Sequence, residues 1–252
     1  MIKLIDLTKE YRGLRAVNRV NLVVGKGTVF GFLGPNGAGK TTTIKMMAGI
    51  LKPSAGRILI NHRDLAEHPT LVKGWVGFVP DRPFVYEKLS GLEFLRFIAG
   101  LYRLNHAEKT ENHILELLEY FDLVHWKDEL IESYSHGMRQ RLVMCSALIH
   151  RPKVVIVDEP MVGLDPRAAR IVKNTFRERA ALGTTVFMST HSLEVAEEVC
   201  DEIAIIQEGR IIAQGTPESL RAKTGVDGNL EHIFLKLTEG KSIAHKPSFS
   251  SH

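Results

Sequence analysis

Gly34-Pro35-Asn36-Gly37-Ala38-Gly39-Lys40-Thr41 decides the reading of this chain. The stretch satisfies G-x-x-x-x-G-K-[ST] in full, the pattern of a loop whose backbone N–H groups curl around phosphate oxygens. The apolar run Val29-Phe30-Gly31-Phe32-Leu33 before it predicts a buried strand, and Thr42 to Ile50 after it predicts a helix. Strand, glycine-rich loop and helix, in that order, are the context the motif needs. The glycines supply the backbone freedom for the curl. The helix start points the positive end of its dipole at the same oxygens. Lys40 can then bridge the β- and γ-phosphates of a nucleotide, and Thr41 can hold Mg²⁺.

A chain of 252 residues can bury one sizeable core with an inserted subdomain. Hydrophobic residues make up 44% and charged residues 25%, as in an ordinary soluble globular chain. No apolar run approaches the ~20 residues that a membrane-crossing helix needs. The opening Met1-Ile2-Lys3-Leu4-Ile5-Asp6 carries no long apolar core, so no signal peptide is expected. Cys145 and Cys200 fall inside predicted helices; they suggest neither a disulfide framework nor a metal site and fit a reducing cytoplasm. The formal net charge of +4 is too diffuse to argue for nucleic acid, and no nucleic-acid partner is expected. Runs such as Arg177-Glu178-Arg179 read as solvated helix faces.

Along the chain, β-like segments come first: Ile2–Leu7, Val17–Val24 and Thr28–Leu33. Arg57–Ile60 and Trp75–Val79 are further short strands. From Leu89 to His150 the apolar period becomes helical, through Leu92, Leu95, Ala99 and Tyr102 and then Ile114, Leu117, Leu118 and Phe121. This predicts an inserted helical subdomain over about 82–150. The α/β pattern then returns. Val154–Val157 is continuously apolar, as a parallel strand covered on both faces should be. Arg167–Leu182 and Leu193–Cys200 predict helices on either side of the strand Thr185–Ser189. Ile203–Gln207 and Arg210–Ala213 predict a hairpin turning at Glu208-Gly209. Short helices at Pro217–Lys223 and Leu230–Leu237 follow. One domain over 1–238 is expected, with 239–252 a fraying tail.

Three further elements carry chemistry. Val154-Val155-Ile156-Val157-Asp158-Glu159 is a buried strand ending in two carboxylates, and ligand sites in open parallel sheets lie beyond the carboxyl ends of strands. Asp158 can complete the Mg²⁺ shell begun by Thr41. Glu159 can orient and deprotonate the attacking water. Alone, the pair could be a polar strand end stopped by Pro160; downstream of a phosphate loop it reads as a metal and general-base pair. Ser135-His136-Gly137-Met138-Arg139-Gln140-Arg141 opens a helix, with Ser135 as N-cap and Gly137 allowing close backbone approach. It is a second anion-binding helix start, and two in one chain suggest that two chains share each nucleotide. In isolation it is a weak signal, since serine commonly caps helices. His191 follows the strand Thr185–Ser189, where an imidazole can hydrogen-bond a γ-phosphate, although a lone histidine is more often structural.

With these elements in order, the chain resembles the ATP-binding cassette family of transporter ATPases over about residues 2–238. Tyr11 sits where the family places an aromatic that stacks on adenine. Gly34, Asn36, Gly37, Ala38, Gly39, Lys40, Thr41 and Thr42 match its phosphate loop, and Ser135–Arg141 matches its LSGGQxQR signature. Asp158 and Glu159 match its magnesium aspartate and catalytic glutamate. Gly163-Leu164-Asp165-Pro166 matches the loop that crosses its dimer interface; locally, Asp165-Pro166 is also an N-cap followed by proline at the first helical position. Ser189-Thr190-His191 matches its switch histidine.

The resemblance implies an α/β fold: a P-loop ATPase core with a mixed, mainly parallel sheet, an antiparallel β subdomain and the inserted helical subdomain. It implies ATP and Mg²⁺, and a homodimer or a heterodimer with a second such ATPase. It also implies a peripheral place on the cytoplasmic face of the membrane, powering export through a separate permease subunit of bacterial export type. Two positions depart from the family. Tyr134-Ser135-His136-Gly137-Met138 stands where Leu-Ser-Gly-Gly-Gln is usual, and Asp81 stands where most members have a glutamine that touches magnesium and the attacking water. Ser135 and Gly137 preserve the anion site, and Asp81 remains a metal ligand by chemistry. Phe84, Tyr86, Phe94 and Phe97 can either line a groove for a partner's helix or, the more expected reading, fill the subdomain core. A ribosome- or DNA-acting cassette would call for two cassettes or a long coiled coil, and a GTPase for an Asn-Lys-x-Asp; neither is present.

Overall fold

The computed structural model of the chain describes residues 1–104, 107–224 and 230–239. The antiparallel hairpin β1 (Ile2–Tyr11) and β2 (Leu14–Val24) comes first, and β3 (Val29–Leu33) leads into α1 (Lys40–Met47). Next are β4 (Ala55–Ile60), β5 (Arg63–Asp64), α2 (Pro69–Lys73) and β6 (Val76–Val79). Three helices follow: α3 (Gly91–Leu101), α4 (Ala107–Tyr120) and α5 (His136–Leu148). The chain returns through β7 (Val154–Asp158), α6 (Pro166–Ala181), β8 (Thr185–Thr190) and α7 (Leu193–Val199). It closes with β9 (Glu202–Gln207), β10 (Arg210–Gly215), α8 (Pro217–Thr224) and α9 (Leu230–Glu239).

Two sheets result. A four-stranded antiparallel sheet has the order β2-β1-β4-β5, and a six-stranded sheet has the order β10-β9-β3-β8-β7-β6. In the larger sheet β6, β7, β8, β3 and β9 run parallel, and β10 closes the edge antiparallel. Every residue of β3, β7 and β8 is buried, which explains their unbroken apolar runs. Side chains alternate between the two faces with the period of a strand. Val29 and Leu33 of β3, with Val155 and Val157 of β7, join a core with Leu95, Ile114, Leu118 and Phe121 of the helical segment. Phe30, Phe32, Val154 and Ile156 point the other way, into a core with Ile44, Met46 and Met47 of α1 and with Leu4 and Leu7 of β1. Each such fully buried side chain is worth about 1.5–3 kcal/mol against exposure, so α1 is held on the sheet from beneath.

Register is what positions the site. Leu33 lies opposite Thr190, Asp158 opposite Ser189, and Val79 opposite Val157. The loop at Gly34, the Asp158-Glu159 pair, His191 and Asp81 therefore leave the sheet at one edge, side by side.

Several boundaries differ from the sequence reading. The helix after the phosphate loop starts at Lys40 rather than Thr42 and stops at Met47. The first two strands extend to Tyr11 and from Leu14, pairing through a tight Arg12-Gly13 turn. The helical segment opens at Gly91, behind a capping box in which Ser90 Oγ accepts from Glu93 N at 3.2 Å and Glu93 Oε2 accepts from Ser90 N at 2.8 Å. Cys200 follows α7 instead of lying within it. The expected tail over 239–252 falls outside the described residues, apart from Glu239 at the end of α9. Of the four aromatics, only Phe94 is core, at 3% exposure. Phe84, Tyr86 and Phe97 are 78%, 48% and 42% exposed, so the core reading fails for three of the four.

Candidate functional site

At the carboxyl edge of the parallel strands lies a cleft of about 320 Å³. It is lined by Ala16, Asn36, Gly37, Gly39, Lys40, Thr41, Thr42, Asp81, Glu159 and His191. A larger cavity of about 420 Å³, between the end of α1 and β4, contains none of these residues. The loop of the cleft is held by close backbone contacts that no side chain would permit. A Cβ on Gly34 would lie 2.3 Å from Ile206 O, and one on Gly39, at φ +107°, 2.4 Å from Ala16 O. Gly209 N donates to Ala38 O at 3.0 Å and ties the loop to the β9–β10 turn. No side chain caps the start of α1, so its first N–H groups face the cleft without a side-chain partner.

Lys40 is only 7% exposed, and its Nζ donates to Gly34 O at 2.6 Å and Pro35 O at 3.2 Å. Burial holds its ammonium below the ordinary lysine value, partly offset by the carboxylates of Glu159 and Asp158. Asp158 is 1% exposed, on the floor behind the cleft. It accepts from Ser189 Oγ and is also hydrogen-bonded by Thr41. Burial pushes its carboxyl above the ordinary aspartate value despite those bonds, and Asp81 and Glu159 push it further. Thr41 thus reaches Asp158, and the carboxylates of Asp81 and Glu159 are near enough for their charges to act on it, although among the described residues no three such groups are gathered tightly enough to hold a metal ion unaided. That all-oxygen donor set suits Mg²⁺, whose charge would reverse the penalty on Asp158.

Glu159 sits at φ +51°, a left-handed conformation uncommon for a residue with a Cβ. Its N–H donates to Ser189 O at 3.2 Å and Ser189 Oγ at 3.3 Å. The turn aims its carboxylate into the cleft, where Oε2 lies 2.9 Å from His191 Nδ1 and accepts from His191 N at 3.3 Å. Strain of this kind at a cleft is where function tends to be found. The pair can do acid–base work: one carboxylate oxygen is anchored to the histidine and the other remains for a proton.

The other residues assigned from sequence do not line this cleft. Gly34 and Ala38 are buried in its supporting loop. Tyr11, 44% exposed at the end of β1, does not line the cleft; Lys9 Nζ lies 5.2 Å from its ring centroid. Ser135 caps α5, accepting from Met138 N at 3.3 Å, and Asp165 caps α6, accepting from Ala168 N at 2.8 Å. These two helix starts are neighbours. A Cβ on Gly137 would lie 3.8 Å from Leu164 Cδ2, and one on Gly163 would lie 2.8 Å from His136 Cδ2. The histidine that breaks the signature is therefore packed against Gly163, which adopts φ +74°. Sequence reasoning missed this contact and two site residues, Ser189 and Ala16. A serine at the end of a buried strand gave a faint signal for the first; the second acts through its backbone and gave none.

The contact makes a prediction. Gly163→Ala should destabilise the chain by about 1–2 kcal/mol from the left-handed backbone alone, and more from the clash with His136. His136→Gly in the same chain should recover only the second part. Thermal unfolding of the two single variants and the double variant should give a coupling of roughly 0.5–1 kcal/mol. Purely additive losses would mean that His136 does not rest on Gly163.

Comparison with known proteins is concordant. Residues 17–162 match the ABC transporter family. The chain is 38% identical to "Daunorubicin resistance ATP-binding protein DrrA3" of Streptomyces coeruleorubidus, across 87% of this chain and 69% of that one. It is 33% identical to "Linearmycin resistance ATP-binding protein LnrL" of Bacillus subtilis (strain 168), across 100% of this chain and 82% of that one. A solved "Structure of ATP binding subunit of ABC transporter" superposes with a TM-score of 0.89 at 34% identity, covering 94% of this chain and 99% of that one.

Proposed function

The chain belongs to the ABC transporter family, as an ATP-binding subunit with ATPase activity, and on that premise we propose how its own residues bind and cleave the nucleotide and whom it serves. The backbone of Gly34–Thr41 and the start of α1 cradle the phosphates, with the Lys40 ammonium leaving Gly34 O and Pro35 O to lie on the β- and γ-oxygens. Thr42 and Asn36 line the same channel, and Tyr11 offers its exposed ring to adenine. Thr41, Asp158 and Asp81 would hold Mg²⁺, which would supply positive charge to offset the negative charge developing on the phosphate oxygens. Glu159 takes the proton of the attacking water, and His191 fixes the carboxylate and offers its remaining ring nitrogen to the γ-phosphate. The work is mostly positioning and charge placement, as phosphoryl transfer requires.

The observation that carries the composite-site reading is that Ser135, Gly137 and Asp165 do not line the cleft, whereas Asn36, Gly37, Gly39, Lys40, Thr41, Thr42, Asp81, Glu159 and His191 do. A second chain, as a copy or a related ATPase, brings its α5 start over the open cleft in an isologous pair. ATP closes that pair and hydrolysis releases it. The exposed cluster Phe84, Tyr86 and Phe97, with ring centroids 6.1 and 5.4 Å apart around Tyr86, supports a docking place for the helix of a separate membrane permease. Among the described residues no helix is long and apolar enough to cross a membrane. We place the protein at the cytoplasmic face of the membrane, as the ATPase of an exporter. On the same reading residues 1–238 act as one ATPase domain, with about 82–150 as its permease-facing subdomain.

The test mixes two dead proteins. Lys40→Ala damages the phosphate cradle, and Ser135→Arg places a bulky cation where the second anion site should close. Each is expected to be inactive alone. Together they form pairs in which one site is intact and the other carries both lesions, and the mixture should regain measurable ATP turnover. A mixture no more active than its components would reject the shared site. Normal nucleotide affinity in Ser135→Arg alone keeps that result from being confused with misfolding.

A further inference from the structure

The composite site draws on two segments of each chain, residues 135–137 at the start of α5 and residues 163–165 before α6. They belong to different parts of the fold. The first lies in the inserted helical segment. The second hangs from the end of β7, four residues beyond Glu159. For both to meet one nucleotide, their relative position has to be set before the chains close.

The turn before α6 does little to set itself. Val162 N donates to Glu159 O and Leu164 N to Met161 O, each at 3.3 Å, long for an N–H···O bond. Glu159 at φ +51° and Gly163 at φ +74° both occupy the left-handed region, and Val162, Gly163 and Asp165 are exposed. An exposed ion pair between Arg167 on α6 and Asp122 beyond α4, at 3.1 Å, adds little in water.

What meets the turn from the other side is the ring of His136, the first residue of α5. A Cβ on Gly163 would lie 2.8 Å from its Cδ2 and 3.0 Å from its Nε2, so the imidazole rests on the bare Cα. That Cα offers no polar group, and the contact is one of shape. Leu164 reaches the other way, its Cδ2 lying 3.8 Å from where a Cβ of Gly137 would stand. A side chain from each segment thus approaches a glycine of the other. The glycine usual at position 136 has no side chain with which to make the first of these contacts.

We infer, on the composite-site reading, that His136 is a positioning residue of the shared nucleotide site: its ring braces the Gly163 turn against the start of α5, so that both segments are presented to the second chain as one preformed unit. Preorganisation raises affinity by removing an ordering cost that would otherwise fall on association. His136 does not line the chain's own cleft, so the brace acts on pairing and leaves the first binding of nucleotide alone. Freezing the backbone of one residue costs roughly tenfold in an equilibrium constant, and a symmetric pair contains the brace twice.

The test reads pairing in Glu159→Gln chains, which hold ATP without cleaving it. The dissociation constant of the pair in Mg-ATP is measured by sedimentation for that parent, for the parent with His136→Ala, and for the parent with His136→Phe. The alanine chain should bind nucleotide normally at concentrations where it is single, yet pair roughly 10²-fold more weakly, about tenfold for each brace. The phenylalanine chain keeps a flat ring on Gly163 and should recover most of that loss. His136 is exposed, so neither change empties the core. An unchanged dissociation constant in the alanine chain, even beside a lower Tm, overturns the brace. So does a phenylalanine chain as weak as the alanine chain, which would make the ring nitrogens, rather than the shape of the ring, what the site uses. A parent that does not pair in Mg-ATP at all rejects the shared site itself, and the brace with it.

Discussion

Glu159→Gln slows ATP hydrolysis roughly 10²–10⁴-fold, the usual contribution of a positioned general base, while ATP still binds. The geometry explains why the two effects separate. Glutamine matches glutamate in size and keeps an oxygen able to accept from His191 N, as Glu159 Oε2 does at 3.3 Å. The backbone turn at φ +51° is held by Ser189 rather than by the side chain. What is lost is the group that can take a proton. With closure intact and release blocked, ATP-bound pairs accumulate. Steady-state turnover measured beside light scattering in Mg-ATP checks both halves. Turnover at the wild-type rate would remove Glu159 from the chemistry and leave it a partner for His191.

Asp158→Asn is expected to move activity and stability in opposite directions. Losing the carboxylate removes several kcal/mol of metal-borne charge stabilisation, roughly 10²-fold or more in rate at about 1.4 kcal/mol per decade. Without nucleotide, however, the substitution should raise Tm. Burial holds the carboxyl above the ordinary aspartate value, so the folded chain binds that proton more readily than the unfolded chain. The stability this confers is present at low pH and fades as pH rises through the folded pKa. At neutral pH the wild type carries a disfavoured buried charge that asparagine lacks. A relief of about 1 kcal/mol would read as roughly 2–4 °C in a chain of this size. The gap should narrow as the buffer is acidified and Asp158 takes up its proton. A lower Tm at neutral pH, or a gap indifferent to pH, would show that burial does not penalise this carboxylate.

Most of the site was legible because its residues stand at strand ends, and buried parallel strands announce themselves. Val29–Leu33 and Val154–Val157 are continuous apolar runs because both faces are covered, so the residues that end them, Gly34 and Asp158, are marked. Short elements gave no such signal. β5 has two residues and α2 five, too few to show a period. Contacts across the chain were also hidden. Nothing in Tyr134-Ser135-His136 says that the imidazole will lie on Gly163, and nothing near Asp158 says that Ser189 will bond it, since both depend on register between distant segments. The aromatics misled because the spacing of Phe94 and Phe97 in α3 is equally compatible with a buried or an exposed face, while Phe84 and Tyr86 precede that helix and have no period to read. Only packing distinguishes Phe94 from Phe97.

The shared direction of β6, β7, β8 and β3 also divides the molecule into an intolerant rim and a permissive one. Every turn at the carboxyl ends carries a residue of the nucleotide cleft, and a one-residue insertion within β7 would turn Asp158 to the opposite face of the sheet. The connections at the amino ends carry none of the chemistry. Lys26, Lys153, Leu182 and Gly183 gather on that opposite rim, and Leu182 is 78% exposed. Loop tips of this kind accept added sequence. A fluorophore or affinity handle placed after Leu182 would ride on the far side of the sheet, reporting on the pair as it opens and shuts without touching what makes it do so.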